Sequence, residues 1–392
     1  MTTPARGTHL FALDDGGILF SEPAQRFYGL NATAVLCWLA LEDGLLGAAG
    51  IAELEAAGAP ATEAESWWAQ SVAMFRTEGF LSGSQPPPPD VPPAGVRGLV
   101  EGEGLARIPT SYTYRFYRLF DVLFRVGFPN QEALDRLSGM LARLAEPSAS
   151  NADVEITVIE VGGCYLVARG TALVGVAPDL NGLAERLESA LVLTAIDATP
   201  YLLSLHCGVL GRPGCGLLLP APSGSGKTTL TTALAGHGWS FGTDEITLLD
   251  IDGRSIRTAP LSPCIKEGSW PVLAPYFPSL LDEPVHHRAG RNVRYLPLEG
   301  DVLPRSVVTH VVFPRYAANG DTALRPITRR DGLQRLLAEC VSIPQAVNRE
   351  RAERLVEWAG RLQFFDLSLV DLPAAIEAIN GLAGPTANKK VS

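Results

Sequence analysis

Ala221-Pro222-Ser223-Gly224-Ser225-Gly226-Lys227-Thr228-Thr229 has the spacing of a phosphate-binding loop, G-x-x-x-x-G-K-[ST], with Ala221 standing at the first glycine position. The run before it, Gly216-Leu217-Leu218-Leu219-Pro220, predicts a short buried strand. The run after it, 228–236, predicts a helix stopped by Gly236. In that context the backbone N–H groups of the turn and of the helix N-terminus point at phosphate oxygens. Lysine is scarce here: only Lys227, Lys266, Lys389 and Lys390 occur, and arginine carries the remaining positive charge. A compact ammonium on a flexible stem suits a loop wrapped around a triphosphate better than a rigid guanidinium fork does. Lys227 therefore reads as reaching the β- and γ-phosphates of ATP, and the Thr228 hydroxyl as a ligand of Mg²⁺.

The next informative segment follows the loop helix. Asp244-Glu245 opens the apolar run Ile246-Thr247-Leu248-Leu249-Asp250-Ile251, which predicts a strand ending in a turn at Asp252-Gly253. Two carboxylates at a strand mouth beside a phosphate loop can divide the work. One binds Mg²⁺, directly or through water, and the other accepts the proton of an incoming hydroxyl. His206 stands upstream, after the apolar run 201–205, either as a packed histidine or with its imidazole near the γ-phosphate. Lys266, Arg288, Arg291 and Arg294 read either as groups that neutralise the transferring phosphoryl or as solvated basic turns.

The order His206, loop at 221–228, then Asp244-Glu245 after a short helix resembles the HPr kinase/phosphorylase family and its relatives. The segments 260–269 and 291–297 are similar to stretches of HPr-kinase-related proteins from bacterial peptide-maturation gene clusters. The similarity spans roughly residues 150–385. It implies an α/β P-loop core of the HPr-kinase-like, PEP-carboxykinase-like type. It implies Asp244 as catalytic base, with Lys227 and His206 at the transferring phosphoryl, and Glu245 supporting a metal held by Thr228 and Asp244. The nucleotide would lie on 221–229 (Ala221, Pro222, Ser223, Gly224, Ser225, Gly226, Lys227, Thr228, Thr229), with Lys266, Arg291 and Arg294 around it. The family includes hexamers, so a homo-oligomer is a further expectation.

Upstream, 84–95 reads Ser-Gln-Pro-Pro-Pro-Pro-Asp-Val-Pro-Pro-Ala-Gly, an extended and semi-rigid linker. It sets apart a front module. There Leu10-Phe11-Ala12-Leu13, a turn at 14–17 and Ile18-Leu19-Phe20 predict a β-hairpin. Helices are expected over 32–41, near 47–57 and over 62–78. With Tyr28-Gly29-Leu30-Asn31-Ala32-Thr33-Ala34 leading into a helix that carries Trp38, this layout resembles the PqqD-like peptide chaperones. That resemblance implies a small winged-helix α+β module which takes a leader peptide as an added strand on the hairpin at 9–21. The expected domains are 1–83 for this module, 84–98 for the linker, 99–150 for a helical connector and 151–392 for the kinase domain. The aromatic stretch 112–124 is expected to be helical and packed on the core. Residues 153–175 are expected to be β-rich, 364–369 a strand, and Asp371 the cap of a following helix.

Composition narrows the function class. The net charge of −10 offers no broad basic surface for nucleic acid. Residues 1–84 carry only Arg6, Arg26 and Arg76 against ten acids, which counts against DNA binding by the module. Six scattered cysteines without a C-x-x-C pair suggest reduced thiols and a cytoplasmic protein. No apolar stretch is long and uninterrupted enough for a membrane span, and no signal-peptide core follows the N-terminus. The leading expectation is a serine kinase acting on a ribosomally made peptide or small protein. The alternatives are a small-molecule kinase or PEP-carboxykinase-like enzyme, and a nucleotide-gated peptide-binding protein.

Overall fold

The computed structural model describes residues 3–13, 16–84 and 112–383. The chain is a mixed α/β protein that divides into two compact units. One joins residues 1–94 to 326–365, and the other joins 95–325 to 366–392. Most of the proline-rich linker lies outside the described residues.

In the front unit, strands Thr8–Leu13, Gly16–Ser21 and Arg26–Asn31 form an antiparallel meander. Helices Ala32–Glu42, Ala48–Ala56 and Ala61–Thr77 follow. Asn31 starts the first helix, its side chain accepting from Ala34 N at 2.8 Å. Leu19 and Leu30 pack with Trp38, Phe75 and Phe80 against these helices. Trp38 meets Phe75 edge-on at 5.1 Å and donates its Nε1–H to Glu42 Oε1 at 2.8 Å.

A sheet covered on one face alone would alternate buried and exposed residues. Here Ile18, Leu19 and Phe20 are all fully buried, so both faces of the middle strand are covered. The second cover is the segment 326–365, which residues 151–392 were expected to hold within the kinase domain. Its helices Arg329–Ala338 and Arg349–Gly360 pack on the sheet face that Ile18 shares with its cross-strand partner Gly29. A Cβ at Gly29 would lie 2.7 Å from Arg330 Cγ, so glycine is needed for this close approach. The Gln25 amide ties the segment down, donating to Val347 O at 2.9 Å and accepting from Val347 N at 2.6 Å. Glu22 Oε1 accepts from Arg349 N at 2.7 Å.

The second unit contains a five-stranded sheet in the order Thr113–Leu119, Val122–Phe128, Val154–Val161, Cys164–Arg169, Ala172–Ala177. The first two strands correct the expectation of a helix over 112–124 and of a helical connector over 99–150, of which 99–111 lies outside the described residues. The physical reason is period. Val122, Phe124, Val126 and Phe128 are buried at every second position, and Arg115 and Arg118 are exposed. Phe120 and Asp121 form the turn, with Phe120 at φ 51°. Helices Gln131–Leu141 and Leu180–Ala198 contribute to the core below this sheet.

The larger sheet sets the site. Its order is Arg305–Ser306, Ile256–Thr258, Ile246–Leu249, Leu203–Arg212, Cys215–Pro220, His310–Tyr316, Gln363–Leu369, Ala323–Ile327. Cys215–Pro220 runs antiparallel to Leu203–Arg212 and parallel to His310–Tyr316. Because Ala323–Ile327 and Gln363–Leu369 are neighbours, residues 328–362 are an insertion between two adjacent strands. A small antiparallel sheet, Cys264–Lys266, Arg291–Tyr295, His286–Arg288, completes the unit. The six cysteines are free thiols. Among the described residues, no helix is long and apolar enough to cross a membrane.

Candidate nucleotide and phosphoryl-transfer site

Strand Cys215–Pro220 is buried along its whole length, and the chain turns from it through 221–226 into helix Lys227–Gly236. Gly224 and Gly226 sit at φ 92° and 87°, the region glycine enters without penalty. Ala221 is buried and not at positive φ, so this position does not require glycine. A Cβ at Gly226 would lie 2.9 Å from Leu369 Cδ2, which holds the loop against the neighbouring strand.

The loop borders a cavity of about 1030 Å³. Pro222, Ser223, Gly224, Gly226, Lys227, Thr228 and Thr229 line it, and so do His206, Asp244, Glu245, Lys266, Arg288 and Arg291. Lys227 is 5 % exposed, and its Nζ lies 3.4 Å from the carbonyl of His206. Lys266 Nζ donates to Ser223 Oγ at 3.0 Å, on the outer side of the loop. Arg294 goes elsewhere. Its guanidinium donates to the carbonyls of Leu280, Leu281 and Glu283 and lies over the Trp270 ring, so it braces a turn and does not line the cavity.

Register places the acids. Ile246 pairs with His206 across two antiparallel strands, and Cys207 N donates to Glu245 O at 3.2 Å. That brings the imidazole beside the carboxylate, with His206 Nε2 3.5 Å from Glu245 Oε2. Arg288 Nη2 lies 3.1 Å from Glu245 Oε1. Both Glu245 oxygens are therefore engaged. Burial would raise the Glu245 pKa, but His206, Arg288 and Lys227 outweigh it and hold the group well below the usual carboxylate range.

Asp244 differs from its neighbour. It is 3 % exposed, and its Oδ2 has no hydrogen-bond partner among the described residues. Burial pushes its pKa up to about 6, and the charge of Glu245 adds to that rise. A hydrogen bond from Thr228, with the charges of Lys227 and Arg288, pulls the other way. A carboxylate in the cavity wall with one oxygen buried and unpartnered among the described residues, and with its proton affinity raised, has the chemistry of a proton acceptor.

No family model matches this sequence, and no curated protein does. Among solved structures, the Hpr(Ser) kinase/phosphatase from Coxiella burnetii is similar at a TM-score of 0.24 and 12 % identity, covering 46 % of this chain and 95 % of that one. The likeness is weak, and the chemistry below rests on the geometry of this chain.

The donor set fits a nucleotide phosphate with a hard cation. Among the described residues, no cluster of three or more His, Cys, Asp and Glu side chains could hold a metal by itself. Magnesium bound with a nucleotide does not need one, since it takes one or two carboxylates and fills its shell with phosphate oxygens and water. Thr228 and Asp244, both in the cavity wall, would provide that minimum.

Sequence reading missed Glu188 and Tyr295. Glu188, on helix Leu180–Ala198, is 6 % exposed, and its Oε2 accepts from Arg288 Nη1 at 3.0 Å and from Tyr295 OH at 3.0 Å. Its signal was an acid at helical spacing from Ala184 and Leu191, inside an apolar stripe.

The front unit holds a second cavity, of about 370 Å³. Leu10, Phe11, Ala12 and Leu13 form one wall. Arg349, Glu353, Val356, Glu357 and Gly360, which share one face of their helix, form the other, with Arg329 beside them. Strand Thr8–Leu13 is the edge of its sheet and contains no Lys, Arg, Asp, Glu or proline, with His9 Nε2 lying 3.1 Å from Glu22 Oε1. Edges usually bear such groups to prevent pairing with another chain.

Proposed function

We propose that this protein is an ATP-dependent kinase that phosphorylates a hydroxyl, most naturally serine, of a ribosomally made peptide or small protein. The observation that carries the reading is the buried Asp244 carboxylate, one oxygen unpartnered among the described residues, in the cavity wall with Lys227 and Thr228. The loop amides and Lys227 hold the β- and γ-phosphates of ATP. The Asp244 carboxylate takes the proton of the acceptor hydroxyl as the oxygen of that hydroxyl bonds to the γ-phosphorus, and ADP leaves. Mg²⁺, when bound, neutralises phosphate oxygens, and Thr228 and Asp244 would hold it. Glu245 holds His206 and Arg288 at the cavity wall.

The front unit supports a peptide acceptor. A segment added beside Thr8–Leu13 would gain main-chain hydrogen bonds, and Arg349, Glu353 and Glu357 of helix Arg349–Gly360, with Arg329 beside them, would read its side chains. The linker then raises the local concentration of the acceptor end.

Incubation with γ-labelled ATP, Mg²⁺ and serine-containing peptides encoded beside this gene tests the reading by intact mass. A gain of one phosphate is expected on the peptide. Asp244→Asn should lower the rate about 10²–10⁴-fold while ATP still binds. Tight ATP binding with no phosphorylated peptide or metabolite would overturn it.

A further inference from the structure

A buried carboxylate needs an explanation, and Glu188 lies on a helix otherwise buried through Leu183, Ala184, Leu187, Ala190 and Leu191. Buried ion pairs contribute little net stability compared with apolar residues of the same size. Its two partners point to a different use. Tyr295 donates to Glu188 Oε2 from within the core, and Arg288 donates to the same oxygen from the cavity wall. Arg288 spends its other terminal nitrogen on Glu245 Oε1 at 3.1 Å. A guanidinium has five N–H donors in one plane, so this arrangement fixes the plane and still leaves donors over.

We infer that Glu188, oriented by Tyr295, is a positioning residue that anchors one end of Arg288 so that the rest of its fork meets the phosphoryl group in transfer. The inference rests on the kinase reading above. In it, Glu245 is the exchangeable partner of Arg288 and Glu188 the permanent one. The buried side of the pair is shielded from water by the core, whereas the Glu245 side opens on the cavity. An anion arriving at the loop would compete with Glu245 for Arg288 and would leave the Glu188 contact in place.

The test compares binding of ADP with binding of ADP plus aluminium fluoride, a mimic of the phosphoryl group in flight, both with Mg²⁺. Glu188→Gln keeps the shape but removes the charge. It should leave ADP affinity within about twofold and weaken the fluoride complex about tenfold or more, in the range of losses when an orienting partner is removed. Tyr295→Phe should give a smaller loss of the same kind. In a second arm, Arg288→Ala should lose the same selectivity and regain part of it on addition of guanidinium ion. The double variant Glu188→Gln/Arg288→Ala should not be rescued, an outcome a merely structural role would not produce. Should Glu188→Gln bind both ligands as the wild type does, or should rescue be equal with and without Glu188, the anchoring role is overturned. Should the wild type itself fail to bind ADP, or bind it no more tightly with aluminium fluoride, the kinase reading fails as well.

Discussion

Two adjacent carboxylates at one strand entrance repel each other, and each must be answered separately. Glu245 is answered by His206 and Arg288, whereas Asp244 keeps a buried oxygen without a partner among the described residues. Their affinities for protons are pushed apart, and under the proposed kinase function the group that is raised would be the base. Phosphoryl transfer should therefore increase with pH as Asp244 loses its proton around pH 6 and level off above it. A pH–rate profile with saturating ATP checks this, and a flat profile between pH 5 and about 7 would remove Asp244 from the role. His286 makes a prediction about stability. It is 2 % exposed, its Nδ1 has no hydrogen-bond partner among the described residues, and its ring meets Tyr295 edge-on. Burial, with smaller contributions from Arg136 and His287, lowers its pKa to about 4 from 6.5. The folded protein thus holds this proton less well than the unfolded chain does. Stability from this group is complete above about pH 6.5 and is lost as the pH falls towards 4, by roughly 3 kcal/mol at most. Denaturant titrations across that window should show the decline, and His286→Leu should flatten it.

At the scale of elements, the phosphate loop depends on backbone geometry more than on side chains. Gly226 needs both its left-handed conformation and the absence of a Cβ facing Leu369. Gly226→Ala should cost about 1–2 kcal/mol from the conformation alone, plus the displacement of Leu369. Under the proposed function nucleotide affinity should fall with it, because the turn amides that would face the phosphates shift together. Calorimetric titration of ADP reads this directly, and unchanged affinity would mean that the loop does not hold phosphate. The hairpin Thr113–Leu119 and Val122–Phe128 shows the opposite dependence. Its aromatic residues carry no special backbone demand, and only their period of two against the sheet decides that they form strands.

At the scale of the whole molecule, the insertion at 328–362 leaves one sheet between adjacent strands and folds with the front strands. Without it, Ile18, Phe20 and Phe27 would lose the cover that keeps them buried. Replacing 328–362 by a short turn should preserve ADP binding, since every residue lining the phosphate-loop cavity lies outside that segment. The same change should abolish the proposed peptide binding at Thr8–Leu13 and expose apolar surface to a dye such as ANS. Retained peptide affinity in this variant would show that helix Arg349–Gly360 takes no part in recognition.

Much of this was legible in the residues alone. The glycine turn at 221–226, its flanking strand and helix, and the cap at Asp371 are local patterns, because each is set by neighbours within a few positions. The hairpin at Thr8–Leu13 and Gly16–Ser21 and the three helices that follow were legible for the same reason. Only tertiary structure decided which of two carboxylates keeps an unpartnered oxygen among the described residues, that Arg294 braces a turn while Arg291 lines the cavity, and that Glu188 reaches Arg288 a hundred positions away. Only it decided, too, that residues 326–365 complete the front unit. Periodicity tells a side chain whether it is buried, but not against what. The partner is chosen by packing across the whole chain, and a short spacing rule carries no record of it.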